Sequence, residues 1–554
     1  MQILLKLGPD VTPIPMEIPD GSTYETLANL VADQLQYPVY AAKRDNVIER
    51  LTEPVHADSL VELLDLRNRS AELIYQNSVS LLYIKAVQDV LGKVPVQIEH
   101  SLNKGVFTEI KTACPLTERQ INVIRKRMDQ LVKMDLPLVR HVVDRETAMS
   151  LLKERNMHEK IRLLEASPQL EQVKFYSLGD FKDFYYGTMV PSTRYIPLYD
   201  IRKYRKGVLL RFPQASAPDR MPPYVDDKNM SEAFAEASRW QDLLGISYVC
   251  DLNEKINSNN IKEVIQLSEA LHEKRVVEVA YQVAKEGKRL ILISGPSSSG
   301  KTTFARKLRI QLQVRGLHPL YLGTDDYFVE RSQTPMDEFG QPNYEDLDAL
   351  DVNLFNQDMN DLLAGKETDL PSFDFLAGQK KFGGRKTLLA PGDPIIIEGI
   401  HALNPQLTPF VPEEEKFRIY ISPLTQLNID DHNRIPTTDS RMLRRLVRDH
   451  QYRGKSAQLT IKEWPKVRTG EDKNIFPYNS QADVFFNSVH IYELAVLKKY
   501  AEPLLASITQ DEPEYGEAAR MLRFLKFFNI VEDDSVISNT SIIREFIGGS
   551  VFVE

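Results

Sequence analysis

The stretch GPSSSGKTT, Gly295 to Thr303, decides the fold of this chain. It follows the apolar run RLILIS (289–294), and its Gly-x-x-x-x-Gly-Lys-Thr spacing is that of a P-loop. In such a loop the backbone N–H groups wrap around phosphates, the lysine reaches the β and γ oxygens, and the hydroxyl ligates Mg²⁺. Phe304, Leu308 and Leu312 then recur every fourth residue, which predicts a helix after the loop. The residues expected to hold ATP here are Gly295, Ser297, Ser298, Ser299, Gly300, Lys301, Thr302 and Thr303.

Length and composition limit the class of protein. The 554 residues exceed what one core normally organises, so several domains are expected. The net charge of -9 argues against broad non-specific binding to nucleic acid. Two cysteines, Cys114 and Cys250, offer neither a disulfide framework nor a zinc ribbon. The sequence has no signal-peptide pattern and no apolar run of about 20 residues, which predicts a cytoplasmic protein without a membrane segment.

Acidic residues follow two further strand-like segments. The segment LYLG (320–323) ends in TDDYF, which places Asp325 where open α/β sheets bind ligands. A carboxylate at that point could deprotonate an attacking hydroxyl, although an aspartate that only caps the following turn is the alternative. The segment PIIIE (394–398) ends in Glu398, the expected partner of Thr302 in holding Mg²⁺. No guanine-reading NKxD motif occurs.

A stripe of arginines lies in the segment 439–449. Arg441, Arg444, Arg445 and Arg448 are spaced i, i+3, i+4 and i+7, on one face of a predicted helix. Because like charges at this spacing repel, their convergence favours a docked polyanion. A solvated basic face that pairs with another domain is the alternative. Arg453 and Lys455 add two cations after the helix.

The first 66 residues predict a small domain. Ile3–Leu7 and Ile14–Ile18, joined by Gly-Pro-Asp, are typical of a β-hairpin, and Leu60–Leu63 of a later strand. Between them, the sequence STYE (22–25) predicts a capping box for a helix with Leu27, Leu30, Val31 and Leu35 on one face. With its IPDGST turn, this segment resembles the TGS domain, a β-grasp module of threonyl-tRNA synthetases and some GTPases. Another small ββαβ domain is the alternative.

Residues 67–212 contain helical patterns at 74–90, 118–134 and 145–155, followed by a mixed stretch at 175–193. In order and placement they resemble the second additional domain of threonyl-tRNA synthetase, which edits mischarged tRNA. That family carries HxxxH on the first helix and CxxxH later. The matching positions here are Gln76, Ser80, Tyr185 and Met189, which predicts that no metal is bound and no editing occurs.

Composition marks the remaining boundaries. The proline-rich stretch after Phe212 is typical of a linker, and two amphipathic segments, Ser231–Leu244 and Ile261–Glu286, lead to the phosphate loop. The chain after Pro513 predicts a helix at 518–528 and strand-like ends. The expected division is 1–66 TGS-like, 67–212 synthetase-like, 213–283 linker and bracing helices, 284–510 P-loop domain, and 511–554 C-terminal docking element.

The motifs of residues 290–484 together resemble the uridine kinase and phosphoribulokinase family. The family's QDSFY is TDDYF here, so the resemblance implies Asp325 as the catalytic acid–base group beside Lys301. Its NFDHPDAFD is NYEDLDALD, which implies Glu345 as the holder of the ribose hydroxyls. PVYDFxxH becomes PSFDFLAG, which places Phe373 against the base and Gly378 where a histidine would read the uracil edge.

The resemblance extends to the cations. FEGI is matched by IEGI around Glu398, and RRVLRD by RRLVRD. It implies that Arg445 approaches the acceptor and that Arg448, Arg453 and Lys455 approach the ATP phosphates. With the base-reading histidine replaced by glycine, a site of this kind would discriminate weakly among bases.

The resemblance implies a multidomain α/β and α+β architecture: a β-grasp domain, an α+β synthetase-like domain, and a P-loop kinase whose mostly parallel sheet is flanked by helices. It implies an ATP- and Mg²⁺-dependent nucleoside kinase acting on a ribose 5′-hydroxyl. A kinase of another small alcohol, such as a sugar phosphate, and an RNA-responsive nucleotide-binding regulator are the alternatives. The expected partner is a small nucleoside acceptor, nucleic acid is less favoured, and an oligomer is compatible with the sequence.

Overall fold

The first unit is a mixed sheet packed on one short helix. The computed structural model describes residues 1–8, 11–336, 340, 342–374, 377–425 and 427–553. Strands β1 (Gln2–Lys6), β2 (Ile14–Glu17), β3 (Ala41–Arg44), β4 (Val47–Glu49) and β5 (Leu60–Leu64) form a sheet of order β2-β1-β5-β3-β4, with α1 (Tyr24–Leu30) against it. The predicted hairpin of β1 and β2 and the later strand β5 are confirmed. Pro9 and Asp10 of the predicted turn lie outside the described residues.

The predicted cap of α1 is wrong in detail. Thr23, and not Ser22, is the N-cap residue, and its side chain accepts from the N–H of Thr26. The hydroxyl of Ser22 instead donates to the carbonyl of Pro19 at 2.8 Å. The helix ends at Leu30, which is 54% exposed. The other members of the predicted apolar face, Leu27, Val31 and Leu35, pack into the core of this unit.

The second unit combines two antiparallel sheets with long helices. Its helices are α2 (Arg69–Leu91), α3 (Glu118–Lys133), α4 (Arg145–Glu154) and α5 (His158–Ala166). Its strands are β6 (Val96–Leu102), β7 (Gly105–Ile110), β8 (Leu138–Asp144), β9 (Gln172–Leu178), β10 (Phe181–Phe184), β11 (Asp200–Tyr204) and β12 (Gly207–Arg211), in the orders β10-β9-β8 and β11-β12-β7-β6. The three predicted helices of this region are confirmed, and α2 is buried over most of its length.

Three helices lead to the phosphate loop: α6 (Lys228–Leu244), α7 (Val249–Asn257) and α8 (Ile261–Glu286). The two predicted amphipathic segments are confirmed as α6 and α8, and sequence reasoning missed α7. Between Arg211 and Lys228 the chain forms no strand or helix, but its carbonyl at Pro222 accepts from the buried side chain of Arg211.

The last large unit is built on a parallel sheet. Its strands are β13 (Leu290–Ser294), β14 (Leu320–Gly323), β15 (Thr368–Asp369), β16 (Ser372–Asp374), β17 (Gln379–Lys381), β18 (Lys386–Thr387), β19 (Ile395–Glu398), β20 (Lys416–Ser422) and β21 (Val484–Asn487). Its helices are α9 (Lys301–Gln313), α10 (Val352–Leu363), α11 (Thr437–Arg453), α12 (Ala457–Asn474) and α13 (Glu493–Ala506). The order β14-β19-β13-β20-β21 is parallel throughout, with β13 in the centre, and β15/β18 and β16/β17 form two small hairpins.

Both faces of this sheet are covered, as the apolar strand sequences require. Leu290 and Leu292 of β13 pack towards α10, whereas Ile291 and Ile293 pack towards α8 and α9. The predicted apolar face of α9, with Phe304, Leu308 and Leu312, is fully buried against β13. The predicted α/β fold with a parallel sheet flanked by helices is confirmed.

The C-terminal segment consists of α14 (Tyr515–Leu525), the short α15 (Arg544–Ile547) and irregular chain between them. The predicted helix is confirmed, but the predicted strand-like ends are wrong within the described part, 511–553. Ile542, Ile543, Phe546 and Ile547 recur at helical and not at alternating spacing, and all four are buried.

The N-terminal and C-terminal halves meet at a buried seam. One hydrophobic core joins residues of α4, α5 and β9 to residues of α7, α11, α13 and α14. The N–H of Ile98 donates to the carbonyl of Asp431 at 2.8 Å. Lys160 lies 2.7 Å from Asp183, which also contacts Nδ1 of His432, so buried charges of both halves pair across the seam.

Candidate active site

The candidate site lies at the carboxyl edge of the parallel sheet. Ile293 of β13 and Gly323 of β14 both stand in register with Glu398 of β19. The chain that follows each strand therefore emerges at one edge: the phosphate loop after β13 and the turn at 324–327 after β14. This edge is where open α/β sheets bind ligands.

Close packing fixes the phosphate loop. A Cβ atom on Gly295 would lie 2.0 Å from the carbonyl oxygen of Ile421, so a larger residue cannot occupy that position without moving β20. Gly300 (φ +83°) and Ser298 (φ +59°) turn the loop with left-handed backbone. The amine of Lys301 donates to the carbonyl of Gly295 at 3.0 Å and so lies over the loop. With its N–H groups at the start of α9, the loop is suited to binding anions.

Asp325 lies beside the lysine. Its side chain remains in contact with solvent but is crowded by protein, and this desolvation raises the pKa of the carboxyl above 3.8. The amine of Lys301 opposes that rise, whereas Asp326 and Glu345 add to it. The charges of Asp325 and Lys301 therefore influence each other, and the role of Asp325 as the catalytic base stays a prediction. The neighbouring Asp326 pairs instead with Arg385 at 2.7 Å.

Glu398 is held between two hydroxyl groups. The hydroxyls of Thr302 and Tyr321 donate to the same carboxylate oxygen at 3.2 and 3.1 Å. Burial raises the pKa of Glu398; Lys301 lowers it, while Asp325 and Glu545 raise it further. The contact between Thr302 and Glu398 brings together the two residues that the sequence assigned to Mg²⁺.

The donors at this point fit a hard divalent cation. They are hydroxyl and carboxylate oxygens. The charges of Glu398, Asp325 and Glu345 each interact with that of Lys301, and a bound cation would relieve the repulsion among the carboxylates. Over the described ranges, no group of three or more histidine, cysteine, aspartate or glutamate side chains forms a metal site by itself. Mg²⁺ commonly keeps waters and substrate phosphates as ligands beside one or two carboxylates.

The arginine stripe has a different role from the one predicted for its first two members. Arg441 pairs with Glu471, and Arg444 forms two hydrogen bonds with Glu493, of 2.6 and 2.5 Å. All four side chains are nearly or fully buried. The carboxylates come from α12 and α13, which spacing within α11 could not reveal, so both the docked polyanion and the solvated face are wrong for this pair. The two arginines instead donate to loop carbonyls, at Ser297 (3.1 Å) and Ser298 (3.3 Å).

The remaining cations of this region are paired with fewer carboxylates. Arg445 donates to the hydroxyl of Ser297 at 2.8 Å. Arg445, Arg448 and Arg453 lie 3.2, 3.1 and 3.3 Å from a single buried carboxylate, Asp449. Lys455 pairs with Glu463 at 2.7 Å. This group therefore keeps a net positive charge, which favours binding of a polyanion.

The positions assigned to the acceptor include Glu345, Phe373 and Gly378. Burial and the nearby Glu471 raise the pKa of Glu345, while Arg445 and Lys301 lower it, so Glu345 lies within electrostatic range of the lysine. Phe373 is buried and packs edge-to-face on Phe328. Gly378 has φ +68°, and a Cβ there would lie 2.8 Å from Nε of Arg331. Phe375 and Leu376 of the PSFDFLAG motif lie outside the described residues.

The four positions of the front half that match metal ligands elsewhere form ordinary structural contacts. Gln76 donates to Glu72 at 3.0 Å, and the hydroxyl of Ser80 donates to the carbonyl of Gln76 at 2.9 Å. Tyr185 and Met189 are buried in the core of that unit. Gln76 and Ser80 also line a cleft that runs to Arg434 and Arg523.

Sequence reasoning missed three side chains that touch this site. They are Tyr321 on Glu398, Glu471 on the N–H of Ser297 at 2.9 Å, and Glu545 on the N–H of Thr303 at 3.2 Å. Tyr321 stands within a strand that the sequence did identify. Glu471 and Glu545 have no local motif, because the chain brings them to the loop from 174 and 242 residues away.

Two comparisons with known sequences match different halves of the chain. Residues 290–495 match the model of the phosphoribulokinase/uridine kinase family, so the C-terminal region carries a P-loop kinase fold of that type. The N-terminal region matches threonine–tRNA ligases. That of Caldanaerobacter subterraneus is 27% identical over 177 residues, and that of Marinobacter nauticus 28% over 194. These matches cover 32% and 34% of this chain but only 28% and 30% of the length of the relatives.

Two solved structures match part of this chain. A protein described as a possible uridine kinase from Bacillus stearothermophilus is 21% identical and covers 38% of this chain and 97% of its own, with a TM-score of 0.25. D-glycerate 3-kinase from Cryptococcus neoformans is 13% identical and covers 45% and 87%, with a TM-score of 0.22. No helix among the described residues is long and apolar enough to cross a membrane.

Proposed function

We propose that this chain is an ATP-dependent nucleoside kinase that transfers the γ-phosphoryl group of ATP to a ribose 5′-hydroxyl. The proposal depends on the hydrogen bond between Thr302 of the phosphate loop and Glu398, at a place where the charges of Lys301, Asp325 and Glu398 influence one another at the carboxyl edge of the sheet. A phosphate-binding lysine beside a carboxylate suited to a hydroxyl acceptor is the arrangement that phosphoryl transfer to an alcohol requires.

We assign one role to each candidate residue. Lys301 and the loop N–H groups would bind the triphosphate, and Arg448, Arg453 and Lys455 would neutralise its charge. Asp325 would take the proton of the attacking hydroxyl, while Glu345 and Arg445 orient the acceptor and Phe373 packs behind its base. Thr302 and Glu398 would hold Mg²⁺, which neutralises charge on the transferred phosphoryl group when bound.

An acceptor that carries an anionic group, such as a sugar phosphate, is the second candidate. Gly378 provides no side chain to read a base edge, and the guanidinium of Arg331 lies where such a side chain would begin. A cation at that position favours a phosphate or carboxylate on the acceptor. For the front half, we propose a TGS-like unit at 1–66 and a synthetase-like unit at 67–212, in line with the similarity to threonine–tRNA ligases.

An acceptor screen tests the proposal. The purified full-length protein is incubated with Mg-ATP and each common nucleoside or sugar phosphate, and ADP release is measured. We expect release with at least one nucleoside and none from Lys301→Ala. Asp325→Asn should lower turnover by about 10²–10⁴-fold, the usual contribution of general base catalysis.

The matched control is Asp326→Asn, which changes the adjacent carboxylate in the same way. Because Asp326 pairs with Arg385, its loss should lower turnover far less than the loss of Asp325. Release of ADP only with sugar phosphates would select the second candidate. Absence of ADP release with every acceptor, from protein that binds ATP, would contradict a kinase function.

A further inference from the structure

A carboxylate of the C-terminal segment sits on the phosphate loop. One oxygen of Glu545 accepts from the N–H of Thr303 at 3.2 Å and from its hydroxyl at 2.7 Å. Thr303 lies in the first turn of α9, where N–H groups have no partner within the helix and attract anions. The donors that Glu545 occupies are thus of the kind that a P-loop offers to nucleotide phosphates.

The carboxylate of Glu545 is hydrogen-bonded by the two donors of Thr303 and, within the described ranges, is not paired with a cation. Glu471, which accepts from the N–H of Ser297, is balanced by Arg441 and by Arg468 at 2.8 Å. In contrast, no lysine or arginine of the described residues lies within ion-pair distance of Glu545. Its negative charge also contributes to raising the pKa of Glu398 on the other side of the loop. Glu545 therefore occupies an anion site without a cation of its own.

The backbone around Glu545 is firmly anchored. Phe546 is fully buried in the core beneath the sheet and lies 4.8 Å from the guanidinium carbon of Arg444. Ile542 packs so close to the loop that a Cβ on Gly300 would lie 2.5 Å from it. The segment therefore holds its place, and rotation of the Glu545 side chain is the movement that would free Thr303.

We propose that Glu545 is a built-in competitor for the phosphates of the nucleotide, which must leave Thr303 before a triphosphate is fully bound. The inference rests on the proposed function, because it concerns the same loop. A carboxylate and a phosphate oxygen cannot share the two donors of Thr303, and their charges repel at this distance. The apparent affinity is then reduced by the fraction of molecules whose loop is free.

Binding measurements without turnover test the proposal. ATP and, separately, inorganic tripolyphosphate are titrated calorimetrically, without acceptor, into full-length wild-type protein, Glu545→Gln and Glu545→Ala. We expect both variants to bind each ligand at least tenfold more tightly, which corresponds to about 1.4 kcal/mol. The matched control, Glu532→Gln, removes the same charge from an exposed residue earlier in the segment and should leave both Kd values unchanged.

The outcomes separate this inference from the kinase proposal. If wild-type protein binds ATP and Glu545→Gln binds it equally or more weakly, the competitor is overturned and the kinase proposal stands. If neither protein binds ATP or tripolyphosphate, the loop does not hold nucleotide and both fall. Tighter ATP binding by the variants, with no acceptor phosphorylated, would support the competitor and contradict the kinase.

Discussion

Replacing Arg444 by methionine should destabilise the C-terminal region strongly, because it leaves the carboxylate of Glu493 buried without its partner. Both side chains are 0% exposed, and the pair is joined by two hydrogen bonds of 2.6 and 2.5 Å. Removal of one partner of a buried ion pair typically costs about 3–5 kcal/mol. In a domain of about 200 residues, this corresponds to a fall in Tm of about 6–20 °C.

Scanning calorimetry of the full chain provides the assay. The chain has several units and should unfold in more than one transition, so the relevant one is identified as the transition that ATP shifts upward. Adding Glu493→Leu to Arg444→Met removes the unpaired charge, and we expect it to restore at least about 2 kcal/mol, since apolar replacements of buried pairs are often close to neutral. Stability changes that simply add in the double variant would refute the pairing.

Arg453→Met is the matched control. Arg453 comes from the same helix, but it is half exposed and its contact with Asp449 is 3.3 Å. Because Arg453 is half exposed and Asp449 keeps Arg445 and Arg448 as partners, the loss of Arg453 should cost only about 0–1 kcal/mol and hardly move the transition. If Arg444→Met lowers the Tm by less than about 2 °C, its loss costs about 1 kcal/mol or less, and this arginine is not a structural residue.

Three further outcomes are expected. Gly295→Ala should weaken ATP binding and cost about 1–3 kcal/mol of stability, because its Cβ would lie 2.0 Å from the carbonyl of Ile421, whereas Gly384→Ala, with open space, should change neither. Glu398→Gln should abolish Mg²⁺-dependent turnover. It should also raise the Tm of the ligand-free protein at neutral pH, because the raised pKa of Glu398 means that its ionised carboxylate is disfavoured in the folded state. Turnover should fall as the pH is lowered, with a midpoint above 3.8, because Asp325 must be ionised and its pKa is raised; a midpoint at or below 3.8 would contradict this environment.

The parts of the site that could be predicted from sequence are those specified by nearby residues. The loop after β13 is recognisable because glycine spacing, an apolar strand and a helical apolar repeat lie within 25 residues of one another. Asp325 and Glu398 follow apolar strands, and parallel strands bring their carboxyl ends to one edge. Their positions at one edge of the sheet follow from the direction of the strands alone.

The parts that could not be predicted depend on contacts between distant segments. The spacing of Arg441 and Arg444 gave the correct face of α11, but it carried no information on what covers that face. Glu471 and Glu493 reach it from helices that begin after the stripe has ended. The same limit applies to Leu30, whose place in the apolar repeat does not reveal that its side chain is exposed.

The buried seam between the halves has a consequence for how such a fusion can change over time. Lys160 and Asp183 from the front half face His432 and Asp430 from the kinase half inside one shared core. A front half taken from another protein would have to carry a base at the position of Lys160 and an acid at that of Asp183. Otherwise Asp430 and His432 would be buried without their partners. A substitution at one of these positions therefore limits which residues the facing positions can carry.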